Sequence, residues 1–108
     1  MQDQVFHAIA EQRRRDILRL IQNEELSSGE IAAHFEVTRP AISQHLRVLE
    51  QAHLVTVRRD GTRRLYRAYP AGLAEVREYL EGFWDASLQL LKQAAEKEER
   101  GMGDYGNN

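Results

Sequence analysis

Residues 38–54, TRPAISQHLRVLEQAHL, constrain this chain more than any other stretch. They join a helix start to a helix with two unlike sides. The Thr38 hydroxyl can accept a backbone N–H of the first turn. Pro40 then falls within that turn, where a missing N–H costs little. At about 100° per residue, Ile42, Leu46 and Leu49 share one side. Pro40, Ser43, Gln44 and Arg47 share the other. That second side carries a hydroxyl, an amide and a guanidinium, and no carboxylate. Such groups suit base edges and phosphates. Alone, the pattern would fit any amphipathic surface helix, and its neighbours in the chain narrow the meaning.

Upstream, residues 3–10 read as a short helix with Val5, Phe6 and Ile9 on one face. A second helix covers about 12–23, with Ile17, Leu18, Leu20 and Ile21 on its apolar side. Arg13, Arg14 and Arg15 crowd its first turn, where the helix dipole disfavours cations. They make either a solvated face or a surface for phosphates or a partner's acidic stretch. After a turn at 23–26, Ser27 and Glu30 have the capping-box spacing. They start a short helix at 28–35 that buries Ile31, Ala32 and Phe35. Glu36 and Val37 turn the chain into the helix described above. A short helix, a tight turn and a second helix with an exposed polar face form a helix-turn-helix arrangement.

Downstream, residues 54–59 and 62–69 are strand-like and flank Asp60-Gly61, a tight-turn signal. They predict a β-hairpin. Its register stays open, because no single pairing sorts the apolar and charged side chains. Arg58, Arg59, Arg63 and Arg64 crowd the tip, and like charges facing across a hairpin cost roughly 0.2–1 kcal/mol per pair. An anion from outside would relieve them. The alternative is a charged guard on an exposed edge. From Pro70 the chain is predicted helical to about Glu99, with Leu73, Val76, Leu80, Phe83, Ser87, Leu90 and Ala94 in one stripe. Trp84, Leu88, Leu91 and Ala95 add a second. Two stripes near the end of a small chain call for another surface, and a second copy is the simplest source. Gly82 costs that helix about 1 kcal/mol, which a close helix–helix approach could offset.

The 108 residues suit one domain, expected at 1–100, with 101–108 as a disordered tail. The net charge of −2 conceals its distribution. Residues 1–37 carry −3, residues 38–69 carry +5 and residues 70–108 carry −4. A local basic surface matters more to a polyanion than the total does. The absence of cysteine excludes disulfides, thiolate metal sites and thiol chemistry. No apolar run is long enough to span a membrane, and the first ten residues lack a signal-peptide pattern. Together these set an expectation of a cytoplasmic protein. His7, His34, His45 and His53 form no zinc-binding pair at the i, i+4 spacing. There is no Gly-rich phosphate loop, nucleophile elbow or carboxylate pair beside a histidine. The expectation is therefore no enzyme, no cofactor and no metal.

Helix, helix, helix-turn-helix, hairpin, helix is the order of a winged-helix DNA-binding domain, mainly α with a small β-hairpin. The chain also resembles the arsenic-repressor-like (ArsR) family of bacterial winged-helix regulators. The matching stretches are RRRDILRLI at 13–21, LSSGEIAAHF at 26–35, VTRPAISQHLRVLEQAHLV at 37–55 and RRDGTRRLYRAYP at 58–70. LEGFWDASLQLLKQAAE at 80–96 resembles the subgroup whose long last helix carries a Phe-Trp pair. The resemblance implies a homodimer paired through its first and last helices. Its expected interface is Val5, Phe6, Ile9, Leu80, Phe83, Trp84, Ser87, Leu88 and Leu91. It also implies contacts to double-stranded DNA from Thr38, Arg39, Pro40, Ser43, Gln44 and Arg47, and from the wing arginines Arg58, Arg59, Arg63 and Arg64. The expected protein is a repressor on an inverted-repeat operator. A recognition helix at about 38–52 would lie in the major groove, and a wing at about 55–69 on the backbone or minor groove. The family's metal sites do not carry over. One needs cysteine, and the other needs His and Asp pairs, whereas residues 72–99 contain Asp85 but no His. A metal-responsive repressor with a non-standard His and carboxylate site, and a protein-interaction module, stay open as alternatives. The inducing signal is not legible.

Overall fold

The computed structural model describes residues 2–102. In chain order the elements are α1 (Gln2–Ile9), α2 (Gln12–Leu20), β1 (Leu26–Ser27), α3 (Ser28–Phe35), α4 (Arg39–Gln51), β2 (Val55–Asp60), β3 (Arg63–Ala68), a 3-10 turn (Pro70–Leu73) and α5 (Ala74–Met102). The three strands form one antiparallel sheet in the order β1-β3-β2.

The core draws one apolar stripe from each helix. Ile17 and Ile21, Ile31, and Ile42, Leu46 and Leu49 are fully buried, together with Leu54. Burying each such side chain contributes roughly 1.5–3 kcal/mol. Val55, Leu65 and Tyr66 close the core from the sheet, and Val5 and Ala8 from α1.

Local chemistry sets the element ends. The capping box at α3 is complete: Glu30 N–H donates to Ser27 Oγ at 3.2 Å, and Ser27 N–H to Glu30 Oε1 at 2.9 Å. Glu36 ends α3 in the left-handed region, φ 55°, and its N–H reaches the Ala32 and Ala33 carbonyls. Helix α2 stops three residues earlier than its periodicity predicts. Ala68 N–H takes the Ile21 carbonyl at 3.0 Å, which ties that turn to the sheet.

Three features correct the sequence reading. Leu26 and Ser27, expected in or beside a turn, form strand β1 against Tyr66 and Leu65. The hairpin turn is Gly61-Thr62 rather than Asp60-Gly61, because Asp60 pairs with Arg63. Gly61, at φ 66°, takes the first turn position, where two-residue hairpins of the II′ kind place glycine. A 3-10 turn precedes α5, closed by Gly72 N–H to Tyr69 O at 3.0 Å. Gly72 sits at a close approach to the preceding loop, since a Cβ there would collide with the His53 carbonyl oxygen.

The chain forms two compact units, the first ending at Val76 and the second starting at Arg77. Val76 is the last residue of the buried core. The second unit is the remainder of α5, whose Leu80, Phe83, Trp84, Leu88, Leu90 and Leu91 are exposed. The helix continues through Met102, and the rest of the expected tail lies outside the described residues. No helix among the described residues is long and apolar enough to cross a membrane. The three-helix core, the helix-turn-helix and the two-stranded wing together are a winged helix-turn-helix fold.

Candidate nucleic-acid interface

Helix α4 takes the shape its sequence dictates. Thr38 is the N-cap, accepting Ala41 N–H at 3.3 Å, and Pro40 lies in the first turn. Ile42, Leu46 and Leu49 anchor one face in the core. Thr38, Arg39, Pro40, Ser43, Gln44 and Arg47 are all exposed on the outside. A helix held by three buried side chains presents its polar groups in a fixed register.

The sheet brings the wing beside it. Through β1, the N-terminus of α3 is hydrogen-bonded to β3, so Ser27 both ends a strand and caps a helix. A polar cavity of about 540 Å³ lies between them. Ser28, Gly29, Arg39, Ser43, Arg63 and Arg64 are among the residues that line it. Four expected DNA contacts from two distant stretches thus converge on one concave surface. The backbone at Ser28 and Gly29 adds the positive end of a helix, which favours anions. Thr38 at the N-cap of α4, and Pro40, Gln44 and Arg47 on that helix, lie outside that cavity, and Arg58 and Arg59 lie on β2 of the wing.

Three of the four crowded arginines meet carboxylates within the chain. Arg58 grips Glu25 with its Nε and an Nη, the shortest contact being 2.7 Å. Arg64 reaches Glu50 at 3.2 Å, and Arg63 reaches Glu30 at 3.8 Å. The hydrogen bond from Arg58 holds the Glu25 carboxyl below its usual range, and Glu25 in turn raises Arg58. Ser27, through its backbone and hydroxyl, lowers Glu30. Register also spreads the charge: only Arg59 and Arg64 face each other directly, while Arg58 faces Leu65 and Arg63 faces Asp60. Arg59 has no carboxylate partner among the described residues.

The Arg13–Arg15 triplet, expected as a solvated face or a surface for phosphates or a partner's acids, also makes contacts within the chain, with Arg15 left exposed. Arg13 lies over the Phe35 ring at 5.0 Å, and Arg15 donates to Ile9 O at 2.8 Å. Arg14 is buried, donating to the carbonyls of Ala8 and His7.

The expected dimer residues fall into two groups. Val5 is 6% exposed and belongs to the chain's own core, and Ile9 is half-buried. Phe6 is exposed, as are Leu80, Phe83, Trp84, Leu88 and Leu91, whereas Ser87 is half-buried. On the wing side, Tyr66 is buried and Tyr69 is exposed. Among the described residues no group of His, Asp and Glu is placed to hold a metal ion.

Comparison with known proteins gives this geometry a context. Residues 11–57 match the family model described as bacterial regulatory protein, arsR family. The chain is 42% identical over 96 residues to the HTH-type transcriptional regulator Rv2034 of Mycobacterium tuberculosis, covering 89% of this chain and 90% of that one. It is 42% identical over 57 residues to the transcriptional repressor SdpR of Bacillus subtilis, covering 53% of this chain and 63% of that one. Its fold is similar to the solution structure of a homodimeric winged helix-turn-helix DNA-binding domain from Mycobacterium bovis. That match has a TM-score of 0.63 and 30% identity, and covers 77% of each chain.

Proposed function

The chain belongs to the ArsR family of bacterial regulatory proteins, and we propose that it acts as a homodimeric, sequence-specific transcriptional repressor. The family and its relatives are transcriptional regulators, not enzymes. The carrying observation is the joint surface of α4 and the wing, where Arg39, Ser43, Arg63 and Arg64 meet at the capped start of α3. A concave polar surface flanked by a convex helix matches a phosphate backbone beside a groove. Ser43 and Gln44 would read base edges in the major groove, with Arg39 and Arg47 at bases or phosphates. Arg58, Arg59, Arg63 and Arg64 would hold the flanking backbone or minor groove. On binding, phosphates would take the places of Glu25, Glu30 and Glu50 as partners of the wing.

The exposed apolar face of α5 supports the dimer, and the Mycobacterium bovis neighbour is described as homodimeric. Two α4 helices would then enter successive major grooves about 34 Å apart, on an inverted repeat. Repression is proposed by likeness to the Bacillus subtilis repressor. Selection from a random duplex pool tests the reading. The expected product is an inverted repeat with half-sites about 10–10.5 bp apart. A pool that never enriches would refute it.

A further inference from the structure

We propose that Arg14 is a positioning residue for operator recognition, a strut that fixes α4 against α1 by holding a neutral His45. The inference rests on α4 being the helix that reads DNA. Arg14 is 6% exposed and is the one buried charged side chain among the described residues. From the first turn of α2 it reaches two other helices. Its Nε donates to Ala8 O at 2.6 Å, and one Nη donates to His7 O at 3.1 Å, both in the last turn of α1. The other Nη lies 3.3 Å from Nδ1 of His45, in the middle of α4. Glu11, the N-cap of α2, closes the ring: it lies 3.2 Å from Arg14 and 3.5 Å from Nε2 of His45.

The chemistry of the groups fixes their protonation. A guanidinium only donates, so the Nδ1 facing it must be an unprotonated acceptor. The ring's hydrogen then sits on Nε2, toward the Glu11 carboxylate. A second ring proton would point an N–H at Arg14 and add a positive charge beside it. The charged groups facing His45 are Glu11, which favours the imidazolium, and Arg14 and Arg13, which oppose it. Helix α1 contributes only carbonyls to this ring. Burial, the largest influence, is opposed by Glu11 and aided by the smaller effects of Arg14 and Arg13, and holds the imidazole below its ordinary value of 6.5. The folded form therefore binds fewer protons than the unfolded one. This contribution is complete above the ordinary value, and is lost as pH falls through it and through the lowered folded value. His45 adjoins Gln44, a proposed base-reading position, on the same turn of α4.

The test measures affinity for the selected operator by fluorescence anisotropy between about pH 8 and pH 5.5, the range in which histidine titrates. The intact wild type is compared with His45→Asn and His45→Leu. Asparagine offers an acceptor where Nδ1 lies and cannot take up a proton. The wild type should weaken by about tenfold as pH falls, the scale of one hydrogen bond to a charged group. His45→Asn should keep the neutral-pH affinity and lose that part of the pH dependence. His45→Leu should bind about tenfold more weakly at neutral pH with an unchanged salt slope. A wild type that tightens on acidification would place His45 at a phosphate and overturn the proposal. So would a salt slope for His45→Leu that is flatter by about one. Full pH dependence in His45→Asn, or wild-type affinity in His45→Leu, would also refute it. A wild type that binds no duplex at neutral pH overturns the functional reading and this proposal together. Unaltered variants of a wild type that does bind overturn this proposal alone.

Discussion

Replacing Arg63 and Arg64 together by glutamine should change how binding responds to salt and leave its sequence preference alone. Both side chains line the cavity between α3, α4 and the wing, and neither lies on the outer face of α4. In the free chain each meets a surface carboxylate, Glu30 at 3.8 Å and Glu50 at 3.2 Å, and Arg64 also lies over the Tyr66 ring at 5.6 Å. Such exposed pairs are worth at most about 1 kcal/mol, so they give way to phosphate readily. Each phosphate contact on duplex DNA contributes about −0.9 to the slope of log affinity against log salt. Losing two contacts should flatten the slope by about 1.8. Over the fourfold rise from about 50 to 200 mM salt, the wild type should therefore lose about twelvefold more affinity than the variant. Fluorescence anisotropy at four salt concentrations, on operator and on scrambled duplex, measures both terms. An unchanged slope, or a changed operator-to-scrambled ratio, would refute the assignment of these residues to the backbone.

Glu50→Gln releases Arg64 and should tighten binding to every duplex by a factor of about 2 to 5 in the same titration, the size of one exposed ion pair. Equal or weaker binding would mean Glu50 does not compete with phosphate. Gly72→Ala forces a Cβ to 2.2 Å from a backbone oxygen held by the His53–Glu50 and Leu54–Leu49 hydrogen bonds, and should cost about 1–3 kcal/mol in chemical denaturation. A loss under about 0.5 kcal/mol would show that this corner yields freely. Trp84→Glu puts a charge on the exposed apolar face of α5 and should shift sedimentation toward monomer. A variant still dimeric at the same concentration would place the interface elsewhere.

Helix α4 was readable because everything that defines it is local. Thr38, Pro40 and the three apolar residues all act within a few turns, and α4 falls where they put it. The Ser27–Glu30 box was readable for the same reason. Strand β1 was not, since its two residues become a strand only by pairing with β3 some forty positions later. The acid partners of the wing were hidden likewise, Arg58 and Glu25 being separated by 33 positions. Three consecutive arginines look alike in sequence, but the 100° step between neighbours sends the middle one inward and its neighbours toward Phe35 and Ile9. The hairpin turn was misplaced by one residue because a glycine of positive φ can serve either turn position, and only the pairing of Asp60 with Arg63 decides. Val5 shows the limit of a face read without its neighbours: the apolar side of α1 is real, but the chain's own core takes part of it.

The most direct test of the central claim is a competition titration with the wild type and Gln44→Ala on the selected operator. Every position of one half-site is substituted in turn. The account expects the wild type to prefer the operator over scrambled duplex, and Gln44→Ala to lose about 1–3 kcal/mol of discrimination at one base pair while the others keep theirs. A substitution profile identical in the two proteins would contradict it, because α4 would then not be reading the bases through the face that the fold exposes.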